Sequence, residues 1–209
     1  EYKLALGSYY LDDAINNSAK LIILNNGNFG FDNLEMEFEE EVDDRRIRAV
    51  FVEDIDHDGE KEIVIGTRPK GILKYYKLIN NKWEDFQIDF FNTTIHDILV
   101  EDTDGNGLKE IIVTISMNQF NANNETDNFT GKIINYEFEP GKKIWNKNIV
   151  WEYNKVWTEL PSGNVPKYEH ARYLFASDID EDGLNEIIVN VIGTGNIEFF
   201  KYNGTDYSR

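Results

Sequence analysis

Three stretches of this chain repeat one another, and that repetition limits the possible folds more than any other feature. Residues 49–66 read AVFVEDIDHDGEKEIVIG, residues 97–114 read DILVEDTDGNGLKEIIVT, and residues 173–190 read YLFASDIDEDGLNEIIVN. They align without a gap. Their first shared acids, Asp54, Asp102 and Asp178, stand 48 and 76 residues apart. The wider interval holds one unit plus an insertion. Residues 116–131 are rich in Asn and poor in apolar side chains, and residues 157–168 contain two prolines, so both read as long loops. Self-similarity at such a period marks units that bury their apolar faces only against their neighbours.

Each unit reads as four strands. An apolar run precedes the acids (Ala49-Val50-Phe51-Val52) and a second follows them (Glu62-Ile63-Val64-Ile65). A third strand (72–76) and a fourth (85–90) follow across turns. Continuous apolar runs in the first two predict strands buried on both faces, and alternation in the last two predicts one wet face. No stretch shows sustained helical periodicity. The expectation is an all-β fold, a β-propeller or propeller fragment built of four-stranded antiparallel blades, with the acidic loops between first and second strands. The whole chain, 1–209, reads as one propeller region of about four blades. These are 1–44 (partial), 45–92, 93–168 (with the insertion) and 169–209 (partial), giving 3 + 4 + 4 + 3 strands and part of a larger propeller. The partial first blade rests on the match of 3–8 to 62–67, a second strand, and the partial last blade on the match of 196–202 to a third.

The loops carry the chemistry. They place Asp54, Asp56, Asp58 and Glu62 in the first unit, Asp102, Asp104, Asn106 and Glu110 in the second, and Asp178, Asp180, Asp182 and Glu186 in the third. Carboxylates at positions 1, 3 and 5 of a tight loop can converge on one point, and Gly59, Gly107 and Gly183 at position 6 permit the sharp turn. Position 7 (Glu60, Leu108, Leu184) can add a backbone oxygen, and the Glu at position 9 can close the shell. So many carboxylates in one turn repel strongly without a cation. An all-oxygen set suits a hard ion, so three Ca²⁺ sites are expected, with Mg²⁺ as the alternative. An EF-hand would need Glu at position 12, where Ile65, Val113 and Val189 stand here.

The pattern D-x-D-x-D/N-G-x-x-E followed by an Ile/Val run resembles the FG-GAP and VCBS calcium-binding repeats, including those of integrin α heads. The resemblance implies a multi-bladed propeller with calcium between the first two strands of a blade. It implies the same ligands: the side chains named above, with backbone oxygens at Glu60, Leu108 and Leu184.

Other features narrow the function. Net charge is −18, which disfavours nucleic acid. No apolar run reaches the roughly 18 residues of a membrane-spanning helix, so no direct membrane insertion is expected. Cysteine is absent, which removes disulfides and thiolate chemistry. Sequons at Asn16, Asn92, Asn124, Asn128 and Asn203 suggest a secreted glycoprotein. Arg48, His96 and Arg172 each stand six residues before the first loop acid and can form a cationic ring at one end of the inner strands. His57 and His170 read as exposed bystanders, and the four Trp as packing residues between blades. No nucleophile–base pair or phosphate-binding glycine loop is evident, so no catalytic residue is assigned.

The resulting expectation is a calcium-stabilised extracellular or cell-surface recognition or adhesion module that binds a protein or a glycan. The alternatives are a carbohydrate-active enzyme or its accessory propeller, and a purely structural spacer.

Overall fold

The computed structural model describes residues 3–7, 18–25, 34–116, 129–154, 156–160, 163–167 and 169–209. Every regular element among them is a β-strand. The first sheet holds β1 (Lys3–Gly7), β2 (Ala19–Asn25) and β3 (Glu35–Val42). The second holds β4 (Arg46–Glu53), β5 (Glu62–Arg68), β6 (Ile72–Ile79) and β7 (Lys82–Phe90). The third holds β8 (Thr94–Glu101), β9 (Glu110–Ser116), β10 (Phe129–Glu139) and β11 (Ile144–Asn154). A two-stranded hairpin follows, β12 (Val156–Leu160) and β13 (Gly163–Lys167). The fourth sheet holds β14 (His170–Ser177), β15 (Glu186–Ile192), β16 (Ile197–Tyr202) and β17 (Tyr207–Ser208). In every sheet the strands pair antiparallel in chain order.

Two expectations change. Within the stretch read as a loop at 157–168, the described residues form strands, because Val156 pairs with Lys167 and Leu160 with Gly163. Pro166 is compatible with this because it stands in a two-stranded ribbon, where each strand has a free edge. The last sheet gains a fourth strand when Tyr202 pairs with Tyr207.

The core consists of three apolar layers between successive sheets, and the strand period of two explains them. In β5, Ile63 and Ile65 pack toward the first sheet with Leu21, Ile23 and Tyr76, while Val64 packs toward the third with Ile95 and Val113. In β9, Ile111, Val113 and Ile115 join that second layer, while Ile112 joins Leu174, Val189 and Phe200 in the third. A continuous apolar run is therefore a strand feeding two layers at once. Each large side chain so buried contributes about 1.5–3 kcal/mol. The first strands behave differently from expectation. β14 alternates between buried and exposed positions, and Tyr173 and Phe175 lie open. As the edge strand of its sheet, it packs one face against the neighbouring sheet.

Close approach between sheets is set by small residues on the second strands. A Cβ on Gly7 would lie 2.6 Å from Ile47 Cγ2, and one on Gly66 would lie 2.6 Å from Ile95 Cγ2. Polar clips span the same gaps. Tyr76 donates to Glu40 at 3.0 Å, and Tyr136 donates to Asp89 at 2.6 Å. Trp83 and Trp145 also bridge sheets, against Phe38 and Tyr75 respectively.

Candidate functional site

Each acidic loop joins the first strand of a sheet to the second, as β4 to β5, β8 to β9 and β14 to β15. The turn is left-handed at position 6, with φ of 94° at Gly59, 85° at Gly107 and 93° at Gly183. The first acid organises the loop. Asp54 accepts from the backbone N–H of Asp58 (3.2 Å) and Gly59 (3.0 Å), and Asp178 accepts from Asp182 (3.0 Å) and Gly183 (2.9 Å). Asp102 accepts from Gly105 (2.8 Å) and Gly107 (3.0 Å). The fifth position closes the turn: Asp58, Asn106 and Asp182 accept from the N–H of Glu60, Leu108 and Leu184.

The position-9 glutamates are buried beneath the loops. One oxygen of each is satisfied: Glu62 by the N–H of Ile55 (3.0 Å), Glu110 by Thr103 (3.0 Å) and Glu186 by Ile179 (2.9 Å). The other oxygen, Oε1, has no hydrogen-bond partner in any of the three. Carboxylate oxygens gather within 4.8 Å of one another in three groups: Asp54, Asp56 and Asp58; Asp102, Asp104 and Glu110; Asp178, Asp180 and Glu186. Glu62 and Asp182 fall outside these groups, and no side chain of Glu60, Leu108 or Leu184 takes part.

Sequence reasoning placed the third strands but missed what they send into the loops. Lys77 of β6 enters the first loop and ion-pairs with Asp56 (2.6 Å), Asp58 (2.7 Å) and Glu62 (3.2 Å). Lys201 of β16 does the same in the third loop, with Asp180, with Asp182 (2.6 Å) and with Glu186 (3.6 Å). Register makes the two lysines equivalent, since Ile63 pairs with Tyr76 and Ile187 with Phe200. In the second unit Ile111 pairs with Tyr136, so the matching residue is Glu137. Glu137 accepts from Asn106 Nδ2 at 3.3 Å. A signal was present: Lys77 and Lys201 each follow the position-9 Glu by 15 residues.

The electrostatics follow from that difference. Lys77 holds the Asp58 carboxyl below the usual range, and Lys201 does so for Asp182. Burial raises Glu62, with Asp56 adding to it and Lys77 opposing. Glu110, buried beside Asp104 and Asp102 with no lysine, is pushed up to about 7, burial being the largest cause and the Thr103 bonds opposing it. The second loop looked the least acidic in sequence because of Asn106, and the fold makes it the least neutralised. The loops also abut: Lys109 pairs with Glu53 at 3.2 Å, and Asn185 donates to the Asp102 carbonyl at 3.4 Å.

His170 is not a bystander. Its ring stacks on His96 with centroids 4.9 Å apart. His57 is half-buried, with φ of 61°. Of the sequons, Asn203 closes a turn by accepting from the N–H of Thr205 and Asp206, both at 3.1 Å. Asn16, Asn124 and Asn128 lie outside the described residues.

Compared with known proteins, residues 28–125 match a family model described as KPTN, KICSTOR complex protein kaptin. No curated protein matches the chain. The family match overturns the FG-GAP/VCBS and integrin-head resemblance. The extracellular or cell-surface placement, the adhesion role and the secreted-glycoprotein reading are corrected with it. The physical reason is that an Asp-x-Asp-x-Asp-Gly loop describes a tight turn that converges carboxylates, and such a turn identifies a loop rather than a family.

Proposed function

We propose that this chain is a calcium-stabilised recognition module, a run of β-propeller blades whose acidic loops bind Ca²⁺ and whose uncovered apolar faces receive a protein partner. The observation that carries the metal reading is Glu110. It is 0% exposed, its Oε1 has no hydrogen-bond partner, and oxygens of Asp102 and Asp104 lie with its own inside 4.8 Å. A buried carboxylate oxygen left unsatisfied costs about 1–3 kcal/mol or more, and a hard cation relieves it. The proposed ligands are Asp102, Asp104, Asn106 and Glu110 with the backbone oxygen of Leu108. The other loops offer Asp54, Asp56, Asp58 and Glu62 with Glu60, and Asp178, Asp180, Asp182 and Glu186 with Leu184.

The blade reading is supported by four sheets in chain order, each four-stranded except the first, with β8 in contact with both β4 and β14. A protein partner is supported by the match to a family described as a complex protein, and by apolar faces at both ends of the run of sheets. The test is a thermal melt with calcium, with magnesium and with a chelator. Ligand that binds only the folded chain raises the melting temperature. A rise with calcium that Glu110→Gln diminishes supports the reading, and a melt indifferent to calcium sinks it.

A further inference from the structure

The first strands of the second, third and fourth sheets share an irregularity at one position. The ladder slips between Ile47 and Ala49, between Ile95 and Asp97, and between Ala171 and Tyr173. The extra residues are Arg48, His96 and Arg172. A bulge re-aims its side chain and interrupts pairing, and the same bulge in three sheets, each with a basic residue, is a built feature. Further bases gather there. Arg68 stands directly across the ladder from Arg46, and His170 stacks on His96 with centroids 4.9 Å apart. Gly131 makes room for that stack, since a Cβ there would come 2.4 Å from His170 Cβ. The cluster lies at the far end of the strands from the acidic loops, about 20 Å away along six residues.

Three arginines of this cluster have no described carboxylate in ion-pair range. Among the described residues, no ion pair within 4.0 Å involves Arg48, Arg68 or Arg172. The Arg48 charge favours ionised Asp97, but Asp97, Asp44 and Asp43 make their hydrogen bonds to other groups. Asp97 accepts from the N–H of Ile98 (3.0 Å) and Leu174 (2.9 Å). Asp44 accepts from Thr67 Oγ1 (2.6 Å) and the Lys70 N–H (2.9 Å), and Asp43 pairs with Lys70 (2.6 Å). Arg172 Nε and His96 Nδ1 are enclosed without a hydrogen-bond partner. Like charges facing each other across a ladder are destabilising. Arg172 lies over the Tyr173 ring at 5.7 Å, but gathering half-buried guanidiniums with no described carboxylate in ion-pair range of Arg48, Arg68 or Arg172 is costly in any chain, and this one has 39 acidic residues against 21 Lys and Arg with which to pair them. Burial, with His170 and the arginines adding to it, pushes His96 down to about 3, and burial and Arg172 push His170 down to about 4. At neutral pH both rings are uncharged; His96 Nε2 is bonded to Ser116 Oγ at 2.6 Å, and when it accepts there the N–H stands at Nδ1.

We propose that Arg48, Arg68, Arg172 and His96 form a binding site for a tetrahedral oxyanion of the phosphate class, free or as the phosphomonoester of a small molecule. A dianion answers most of the charge of three guanidiniums, and their forked donors match its oxygens. A single carboxylate leaves most of that charge unanswered. The proposal is independent of the calcium reading, because it rests on residues at the opposite end of the strands.

The test is calorimetric titration of the whole chain at neutral pH, in calcium-free buffer at fixed ionic strength. The probes are inorganic phosphate, phenyl phosphate and acetate. Saturable binding of one phosphate or one phenyl phosphate per chain is expected, with acetate at least about tenfold weaker. Tighter binding of phenyl phosphate than of phosphate assigns the site to an ester, and the reverse to the free ion. Arg48→Gln and Arg172→Gln should each weaken binding about tenfold or more, with Lys142→Gln unchanged. Melting separates this from a structural role. Without phosphate Arg172→Gln should melt higher than the parent chain, because repulsion is relieved, and saturating phosphate should reverse that order. Equal responses to acetate and phosphate, or full affinity in both arginine variants, would overturn the proposal.

Discussion

Lys77 and Lys201 show how one residue can alter a site whose sequence motif is intact. Each brings an ammonium among loop acids that a cation would otherwise neutralise. Calcium entering the first or third loop has to displace that ammonium, whereas the second loop offers Glu137 in its place. The second loop is therefore expected to bind calcium most tightly. Calorimetry should resolve one tight and two weaker phases. Lys77→Gln should tighten one weak phase by about tenfold or more, since charges at this range interact by a few kcal/mol. The same variant should melt lower in chelator, because its acids are left to repel. His96 makes a separate prediction. Its folded pKa is depressed to about 3, against about 6.5 unfolded. Between those values the unfolded chain binds more protons, so this contribution is fully present above about pH 6.5 and lost as pH falls toward 3. Urea midpoints at about pH 7 and about pH 4.5 should therefore differ less in His96→Asn than in the parent chain.

At the scale of the element, the repeated apolar run is the unit of stability. Its odd and even residues enter different layers, so a single strand holds two neighbouring sheets together. Glycine sets the spacing of those sheets. Gly66→Ala should cost about 1–3 kcal/mol in urea unfolding, because the new methyl meets the β-branched Ile95 in a packed layer. Gly141→Ala, where a Cβ meets nothing within 4 Å, should stay within about 0.5 kcal/mol. The strands and acidic turns of the second to fourth sheets were legible because their cues are local: apolar runs, acids at alternate positions and a glycine at a left-handed φ. The β12–β13 hairpin was not legible, because two prolines outweighed its pairing in any local reading. The buried first strands failed for a related reason. An apolar run does not say whether a second sheet covers its other face.

Across the whole molecule, charge and apolar surface are both segregated. Acidic loops crowd one end of the first and second strands, and guanidiniums and imidazoles crowd the other. The fourth sheet presents Tyr173 (48% exposed), Phe175 (60%), Ile197 (62%) and Phe199 (47%). Register places them on one face, because Tyr173 and Ile197 both pair with Asn190, and Phe175 and Phe199 both pair with Ile188. Leu4, Leu6 and Met36 make a similar face on the first sheet. Contiguous apolar patches of this kind mark protein contacts. Phe175→Ser and Ile197→Ser should leave the melting temperature nearly unchanged and remove partners captured by cross-linking in a cell extract. Capture indifferent to both variants would count against a partner on this face.

The sequence alone determined that the chain forms strands and where its acidic turns fall, because each depends on neighbours a few residues away. Only the tertiary structure decided that Lys77 and Lys201 fill two of the loops while Glu137 faces the third, and that His170 meets His96 among arginines. Those contacts join residues far apart in the chain. They depend on strand register and on how one sheet lies against the next, and no local pattern carries that information.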